Sequence, residues 1–206
     1  VLIEVSDKWA IDNDYISEHD YKEFMGRKYQ LKWTTNRDTA LIVTLLAQER
    51  SILEVGTYLG HTTQNIATAI PNASVVTIDV TKDIVQTLPF QTHEILSNED
   101  SGSFITAPNV QQFKIESDDF FAANSTGFGG VFIDGDHSEA QVMKDSISAC
   151  KLVEKNAGIV VWHDVYPENC QEYKTNPGVV NVLKALPYKC YKFENSWVGF
   201  SILEEI

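Results

Sequence analysis

"SILEVGTYLGHTTQNIATAI", residues 51–70, reads as a strand, a glycine turn and a helix in immediate succession. Ile52, Leu53 and Val55 make a short buried strand, Gly56 to Gly60 a turn, and Thr62 onward a helix. The same alternation extends in both directions. Upstream, "NRDTALIVTLLAQE" (36–49) carries Leu41, Ile42, Leu45 and Leu46 at helical spacing. Downstream come strands at "SVVTID" (74–79), "VQQFKI" (110–115), "GGVFID" (129–134) and "AGIVVWHD" (157–164). A helix follows from Ser138, where Ser138 and Gln141 fit a capping box. Another occupies "PGVVNVLKAL" (177–186), with Pro177 near its first turn. The tail (188–204) reads as two alternating strands joined at Asn195-Ser196.

Strands alternating with helices imply an α/β fold, a doubly wound and mostly parallel sheet with helices on both faces. About seven strands are expected, the last two as an antiparallel C-terminal hairpin. Residues 1–38, acidic and punctuated by aromatics, read as a helical or irregular N-terminal segment; residues 39–206 form the main domain. The stretch 89–109 reads as a long surface loop with some helix, and 165–177 as an insertion.

The bulk numbers agree with one soluble domain. A chain of 206 residues buries roughly 70% of its unfolded surface and needs no staples. The net charge of −13 would repel a nucleic-acid backbone, so no nucleic-acid partner is expected. Lys22, Arg27, Lys28 and Lys32 form only a sparse basic cluster. No apolar run approaches the ~20 residues that span a bilayer, and no signal peptide is visible. Cys150, Cys170 and Cys190 fit neither a disulfide framework nor a zinc knuckle. A cytoplasmic protein with reduced thiols is the simplest reading, and a homodimer is compatible with it.

In a doubly wound sheet, ligands bind outside the carboxyl ends of the strands. Glu54 and the glycine turn, Asp79, Ser117-Asp118, Asp134-Gly135-Asp136-His137 and His163-Asp164 all fall at such ends. The turn is not the dinucleotide pattern G-x-G-x-x-G, because Tyr58 takes the middle glycine's place. Glu54, two residues before Gly56, would repel a pyrophosphate but attract a cationic ligand without phosphate. S-adenosylmethionine is such a ligand. Asp79 can accept hydrogen bonds from ribose hydroxyls, as it could for NAD.

These residues resemble the class I S-adenosylmethionine-dependent methyltransferases of Rossmann-like fold. "LEVGTYLGHTT" is similar to the first motif of the small-molecule O-methyltransferases, "VVTIDV" to the second and "FKIESDDF" to the third. "VFIDGDHS" through "WHDV" resembles an Asp-Gly-Asp-His…His-Asp pattern in one bacterial group. The resemblance implies transfer of a methyl group to a hydroxyl of a small molecule, a sugar or a secondary metabolite. It implies that Glu54, Gly56, Thr57, Tyr58, Gly60, Asp79 and Asp134 line the cofactor, with Ser117 and Asp118 flanking its adenine. Asp134 and Asp164 match positions that hold a divalent metal in catechol-type enzymes. Val165 stands here where those enzymes have Asn, and His163 where the sugar enzymes have an acidic residue.

A hydroxyl acceptor must lose a proton. A metal (Mn, Mg, Fe or Zn) on Asp134, Asp136, His163 and Asp164 could lower its pKa. Alternatively His137 or His163 could act as base, oriented by a carboxylate such as Asp164. The plainer roles are capping by Asp136, Ser138 or Asp118, a structural place for either histidine, a helix-start role for His61, and exposed positions for His19 and His93. Trp162 reads as core, Trp197 as core or pocket wall, and Tyr29 with Trp33 as a lid over the site. The competing functions are an NAD-dependent oxidoreductase on the same architecture and a non-catalytic cofactor-binding module.

Overall fold

The computed structural model describes residues 1–82, 84, 95–125, 127–154 and 157–203. In chain order the elements are β1 (Leu2–Val5), α1 (Asp7–Asp12), α2 (Glu18–Met25), α3 (Asn36–Leu46), β2 (Ser51–Val55) and α4 (His61–Ala69). Then come β3 (Ser74–Asp79), β4 (Val110–Lys114), α5 (Ser117–Ala123), β5 (Gly130–Ile133), α6 (Glu139–Glu154) and β6 (Ile159–Trp162). The chain closes with α7 (Gln171–Thr175), α8 (Gly178–Ala185), β7 (Cys190–Phe193) and β8 (Gly199–Ile202).

The described strands form one sheet in the order β1-β7-β8-β6-β5-β2-β3-β4. β8 runs antiparallel to both its neighbours, and every other pairing is parallel. Strand alternation assigns successive side chains to opposite faces. Ile52, Phe132 and Val161 join one core with Ala40, Leu41 and Ile66 of α3 and α4. Leu53, Val131, Val160 and Trp162 join the other with Val142, Leu152 and Leu183 of α6 and α8. Because both faces are covered, β5 and β6 are apolar at every position. The winding reverses between β2 and β5: from β2 the chain proceeds outward to β3 and β4, then returns to β5 and β6. The carboxyl ends of β2 and β5 flank that switch point, where a ligand crevice opens.

Several expectations need correction. Among the described residues the sheet has eight strands rather than about seven, because Leu2–Val5 pairs with β7 in register from Leu2 with Cys190 to Val5 with Phe193. Four residues with Glu4 among them give too short an alternation to read as a strand; the edge of β7 supplies the partner. Glu54 lies inside β2, not after it, and β6 ends at Trp162, short of His163. Ser138 accepts from the Gln141 N–H at 3.4 Å, but the Gln141 side chain turns to Ser117 and Asp145 instead of closing the box. The insertion at 165–177 contains α7. Of the loop at 89–109, the described part, 95–109, contains no helix or strand; 89–94, with His93, lies outside the described residues. Trp162 is fully buried, and its indole N–H donates to Ser146 at 2.9 Å.

Candidate active site

Gly56 and Gly60 shape the turn after β2, with φ of +98° and +88°. A Cβ on Gly56 would collide with the Asp134 carbonyl, so glycine is required here by conformation and by space. The contact locks the β2 turn to the end of β5, where the Asp134 N–H also donates to the Val55 carbonyl at 2.8 Å. Tyr58 too takes a left-handed conformation, φ +49°, and Asp79 holds it there by accepting from its N–H at 2.6 Å. The other Asp79 oxygen accepts from the Val80 N–H at 2.9 Å.

Glu54 is buried and accepts from Thr77 Oγ1 at 2.6 Å and from Thr63 Oγ1. No lysine or arginine pairs with it among the described residues. Burial pushes its carboxyl up to about 8, against the two hydroxyl donors that favour the charged form. Burial likewise pushes Asp79 up to about 6, opposed by the backbone donors of the turn. A cleft opens here, lined by Glu54, Gly56 to Thr62 and Asp134 together with Lys32, Trp33 and Thr34.

The ends of β5 and β6 look different. Asp134, His137 and Asp164 bring one ligand atom each within 4.8 Å of one another, the described group that could hold a metal ion. His137 Nε2 lies 2.6 Å from Asp164 Oδ2. Buried His163 places Nδ1 3.2 Å from Asp164 Oδ1 and 3.5 Å from Asp134 Oδ1. Burial favours neutral His163, but the Asp134 and Asp164 carboxylates outweigh it and hold the imidazole well above its ordinary value. Burial also opposes charge on Asp164; His137 and His163 reverse this and hold its carboxyl well below the usual range. Asp164 sits in the left-handed region at φ +58°.

A family model described as Methyltransferase domain matches residues 53–165, from β2 through the end of this cluster. The chain belongs to that family. The fold is shared with solved structures of low identity. Cofactor-bound Rv0187 from MTB is 16% identical with a TM-score of 0.58, over 90% of this chain and 87% of that one. The O-methyltransferase from Bacillus cereus, in complex with SAH, is 15% identical with a TM-score of 0.53, over 95% and 96%. The O-methyltransferase TomG from Streptomyces achromogenes, in complex with SAM, is 18% identical with a TM-score of 0.53, over 97% and 92%. No curated protein matches the chain.

Other residues singled out from sequence fall around this methyltransferase domain in less central places. Asp136 lies outside the three-residue cluster, and its carboxylate accepts from the Ser138 N–H at 2.6 Å, ahead of α6. α5 starts at Ser117, so Asp118 sits in its first turn and does not cap it. Asp118 is half exposed and pairs with Lys144 at 2.8 Å, which lowers its carboxyl pKa. Ser117 donates to Asp145 at 2.6 Å. His61 opens α4; its ring lies 4.1 Å from Phe104, and its buried Nδ1 has no hydrogen-bond partner. Trp197 packs edge-on against Tyr166 at 4.9 Å and 6.1 Å from His163. Tyr29 packs against the core, whereas Trp33 is 72% exposed beside the cleft. His19 is exposed, and no described helix is long and apolar enough to cross a membrane.

Sequence reasoning missed the parts that hold the site in shape. The Tyr166 hydroxyl donates to Asp164 Oδ1 at 2.8 Å, and the Tyr166 N–H returns to the Asp164 carbonyl at 2.9 Å. Gly178, at the start of α8, abuts the His137 carbonyl so closely that a Cβ would collide with it. Buried Asp38 reaches from α3 to Ser196 in the β7–β8 turn, and the Trp197 carbonyl of that turn accepts from the Val165 N–H at 2.9 Å. None is flagged by strand-end position; only the third-dimension neighbour gives each its role.

Proposed function

We propose that the protein is an S-adenosylmethionine-dependent methyltransferase that methylates a hydroxyl of a small molecule. The observation that carries this is the carboxyl-rich end of the cleft. Two carboxylates, Glu54 and Asp79, are desolvated without a cationic partner and sit around a turn that leaves room only for glycine at Gly56. A site built this way lowers its own free energy by taking up a cation. It would repel a pyrophosphate, which weighs against NAD. When bound, S-adenosylmethionine would supply an electrophilic methyl on a sulfonium. Glu54 and Asp134 would face its positive charge, and Asp79 would accept from its ribose.

At the β5–β6 end, Asp164 lies 2.6 Å from His137 Nε2 and orients the imidazole, which is the candidate base for the acceptor's proton. His163 and Tyr166 hold the second Asp164 oxygen, so the carboxylate has one orientation. The same Asp134, His137 and Asp164 set suits a borderline divalent ion such as Mn²⁺, Fe²⁺ or Zn²⁺ better than Mg²⁺, and such an ion would acidify a bound hydroxyl. Positioning of acceptor against methyl donor supplies much of the acceleration in either case.

The deciding experiment is isothermal titration of S-adenosylmethionine into the purified protein, with chelator and again with Mn²⁺. Saturable binding, lost in Glu54→Ala and Asp79→Ala, is the expected result. Tighter binding or acceptor turnover with Mn²⁺ that vanishes in Asp134→Ala would assign the metal set. Absence of binding by folded protein under both conditions would overturn the methyltransferase reading.

A further inference from the structure

The first turn of α3 grips the turn between β7 and β8. Asp38 is buried there, and its two carboxylate oxygens do different work. Oδ2 accepts from the Thr35 hydroxyl at 2.8 Å, and Thr35 Oγ1 accepts from the Asp38 N–H at 3.0 Å, which closes the cap of α3. Oδ1 takes no part in that cap. It accepts from the Ser196 hydroxyl and, at 3.4 Å, from the Trp197 N–H, 158 and 159 positions along the chain. Ser196 Oγ accepts in turn from the Val198 N–H at 3.1 Å, and Arg37 donates to the Asn195 carbonyl at 2.7 Å.

The β7–β8 turn itself holds the chain that follows β6. The Trp197 carbonyl accepts from the Val165 N–H at 2.9 Å, and the Trp197 ring packs edge-on against Tyr166 at 4.9 Å. Tyr166 donates its hydroxyl to Asp164 Oδ1 at 2.8 Å. Trp197 thus touches both residues that come directly after Asp164. The Asp164 backbone is left-handed, φ +58°, a conformation uncommon outside glycine, so the hold on Val165 and Tyr166 decides where its carboxylate points. Asp164 Oδ2 lies 2.6 Å from His137 Nε2. An unbroken set of contacts therefore runs from Asp38 through Trp197 to the candidate base.

We infer that Asp38 is a positioning residue for the Asp164–His137 pair, acting through the Ser196–Trp197 turn. The inference rests on the reading of His137 and Asp164 as the acceptor's base and its orienting carboxylate. Capping of α3 accounts for Oδ2 and leaves Oδ1 unexplained. A buried carboxylate with each oxygen committed to a different part of the chain fixes the distance between those parts. Removing it leaves the buried Ser196 hydroxyl without its acceptor, and the turn must shift to find another. Val165 and Tyr166 move with the turn, and the Asp164 carboxylate turns away from His137.

The test reads the His137 imidazole nitrogens by proton–nitrogen correlation spectra of histidine-labelled protein, with Asp164→Asn marking the displacement that loss of the orienting carboxylate produces. Asp38→Ala should move the His137 signals most of the way to that position, and Ser196→Ala should move them in the same direction. Asp38→Asn should leave them near the wild type, because its side-chain oxygen still accepts from Ser196 and Trp197. Thr44→Ala, which removes a buried hydroxyl bonded to the Ala40 carbonyl at 2.7 Å in the same helix, should lower the melting temperature without moving them. Unmoved signals in folded Asp38→Ala, or an equal displacement in Thr44→Ala, would overturn the inference and leave Asp38 as a cap. If Asp38→Ala does not fold, Ser196→Ala decides alone, and unmoved signals there overturn the inference. The spectra need no ligand: failure to bind S-adenosylmethionine would bring down the methyltransferase reading, while a displaced His137 would still show that Asp38 positions the pair.

Discussion

The two halves of the crevice use the same side chain to opposite ends. At β2 and β3, Glu54 and Asp79 are carboxylates without cations, and burial holds both above their ordinary values. At β5 and β6, Asp164 is at least as deeply buried as Asp79, yet two imidazoles hold it below its ordinary value. Desolvation is alike in direction on both sides, so the neighbours decide the sign. The first half is electrostatically incomplete until a cation arrives. The second is self-compensated, with two histidines facing two aspartates at one sheet edge.

The largest effects belong to Glu54, where incompleteness can be removed outright. Glu54→Gln should weaken S-adenosylmethionine by at least about 100-fold, as expected when one partner of a buried charge pair is lost. The ligand-free variant should nevertheless be more stable than wild type at pH 8. In the unfolded chain the carboxyl ionises near 4.5 and in the folded chain near 8. The folded state thus holds a proton that the unfolded state has released, and stability contributed below pH 4.5 is lost as pH rises through 8. The loss across that window is on the order of 4 kcal/mol. Thermal melts of both proteins from pH 4.5 to 8.5 should diverge steadily. Cofactor affinity of the wild type should rise over the same interval, since binding a cation expels the proton; parallel melts would refute the contrast between the halves.

Asp164→Asn probes the self-compensated half. Asn tolerates the left-handed backbone that Asp164 adopts, so the substitution changes charge with little backbone strain. It leaves two imidazoles facing one remaining carboxylate, and breaking such a pair should cost about 3 kcal/mol. Urea denaturation at pH 7 measures this, while cofactor affinity should stay within about threefold of wild type. Tyr166→Phe keeps the ring against Trp197 and removes only the donor to Asp164. Its expected cost is smaller, about 2 kcal/mol for one buried bond to a charged acceptor. A loss of cofactor binding in either variant would mean that the halves are not separable.

The sheet was legible because its central strands are short and largely apolar: "VFI" and "IVVW" leave no face for water, "ILEV" carries one carboxyl among apolar residues, and a glycine borders each. Strand ends pointed to where the titratable groups gather: Glu54 and Asp134 line the cleft, Asp79 holds the turn through the Tyr58 N–H, and His137, His163 and Asp164 cluster with Asp134. What sequence could not separate was which titratable groups share atoms. Asp136 and His137 are adjacent, yet one turns to the Ser138 backbone and the other to Asp164, 27 positions away. The N-terminal strand was illegible for a related reason. "LIEV" has no pattern of its own strong enough to declare a strand, and its pairing partner lies at the other end of the chain.

Asp118 gives the smallest expected effect and the finest test of the contrast. By resemblance to the third motif it should flank adenine, and by position it lies toward the unpaired half of the crevice. Its own electrostatics belong to the other kind: Lys144 donates to it at 2.8 Å and holds its carboxyl below the ordinary range. Both groups are largely exposed, so water and salt already screen the pair. Asp118→Asn should therefore shift the melting temperature by less than about 2 °C. An adenine amino group, by contrast, would need the carboxylate oxygen that Gln141 reaches at 3.4 Å, and Asn can still offer an oxygen there. The expectation is an S-adenosylmethionine affinity within about threefold of wild type, with Asp118→Leu weaker by a further three- to tenfold. If Asn and Leu bind equally well, Asp118 does no more than pin α5 to α6 through Lys144, and the adenine edge must be read by backbone.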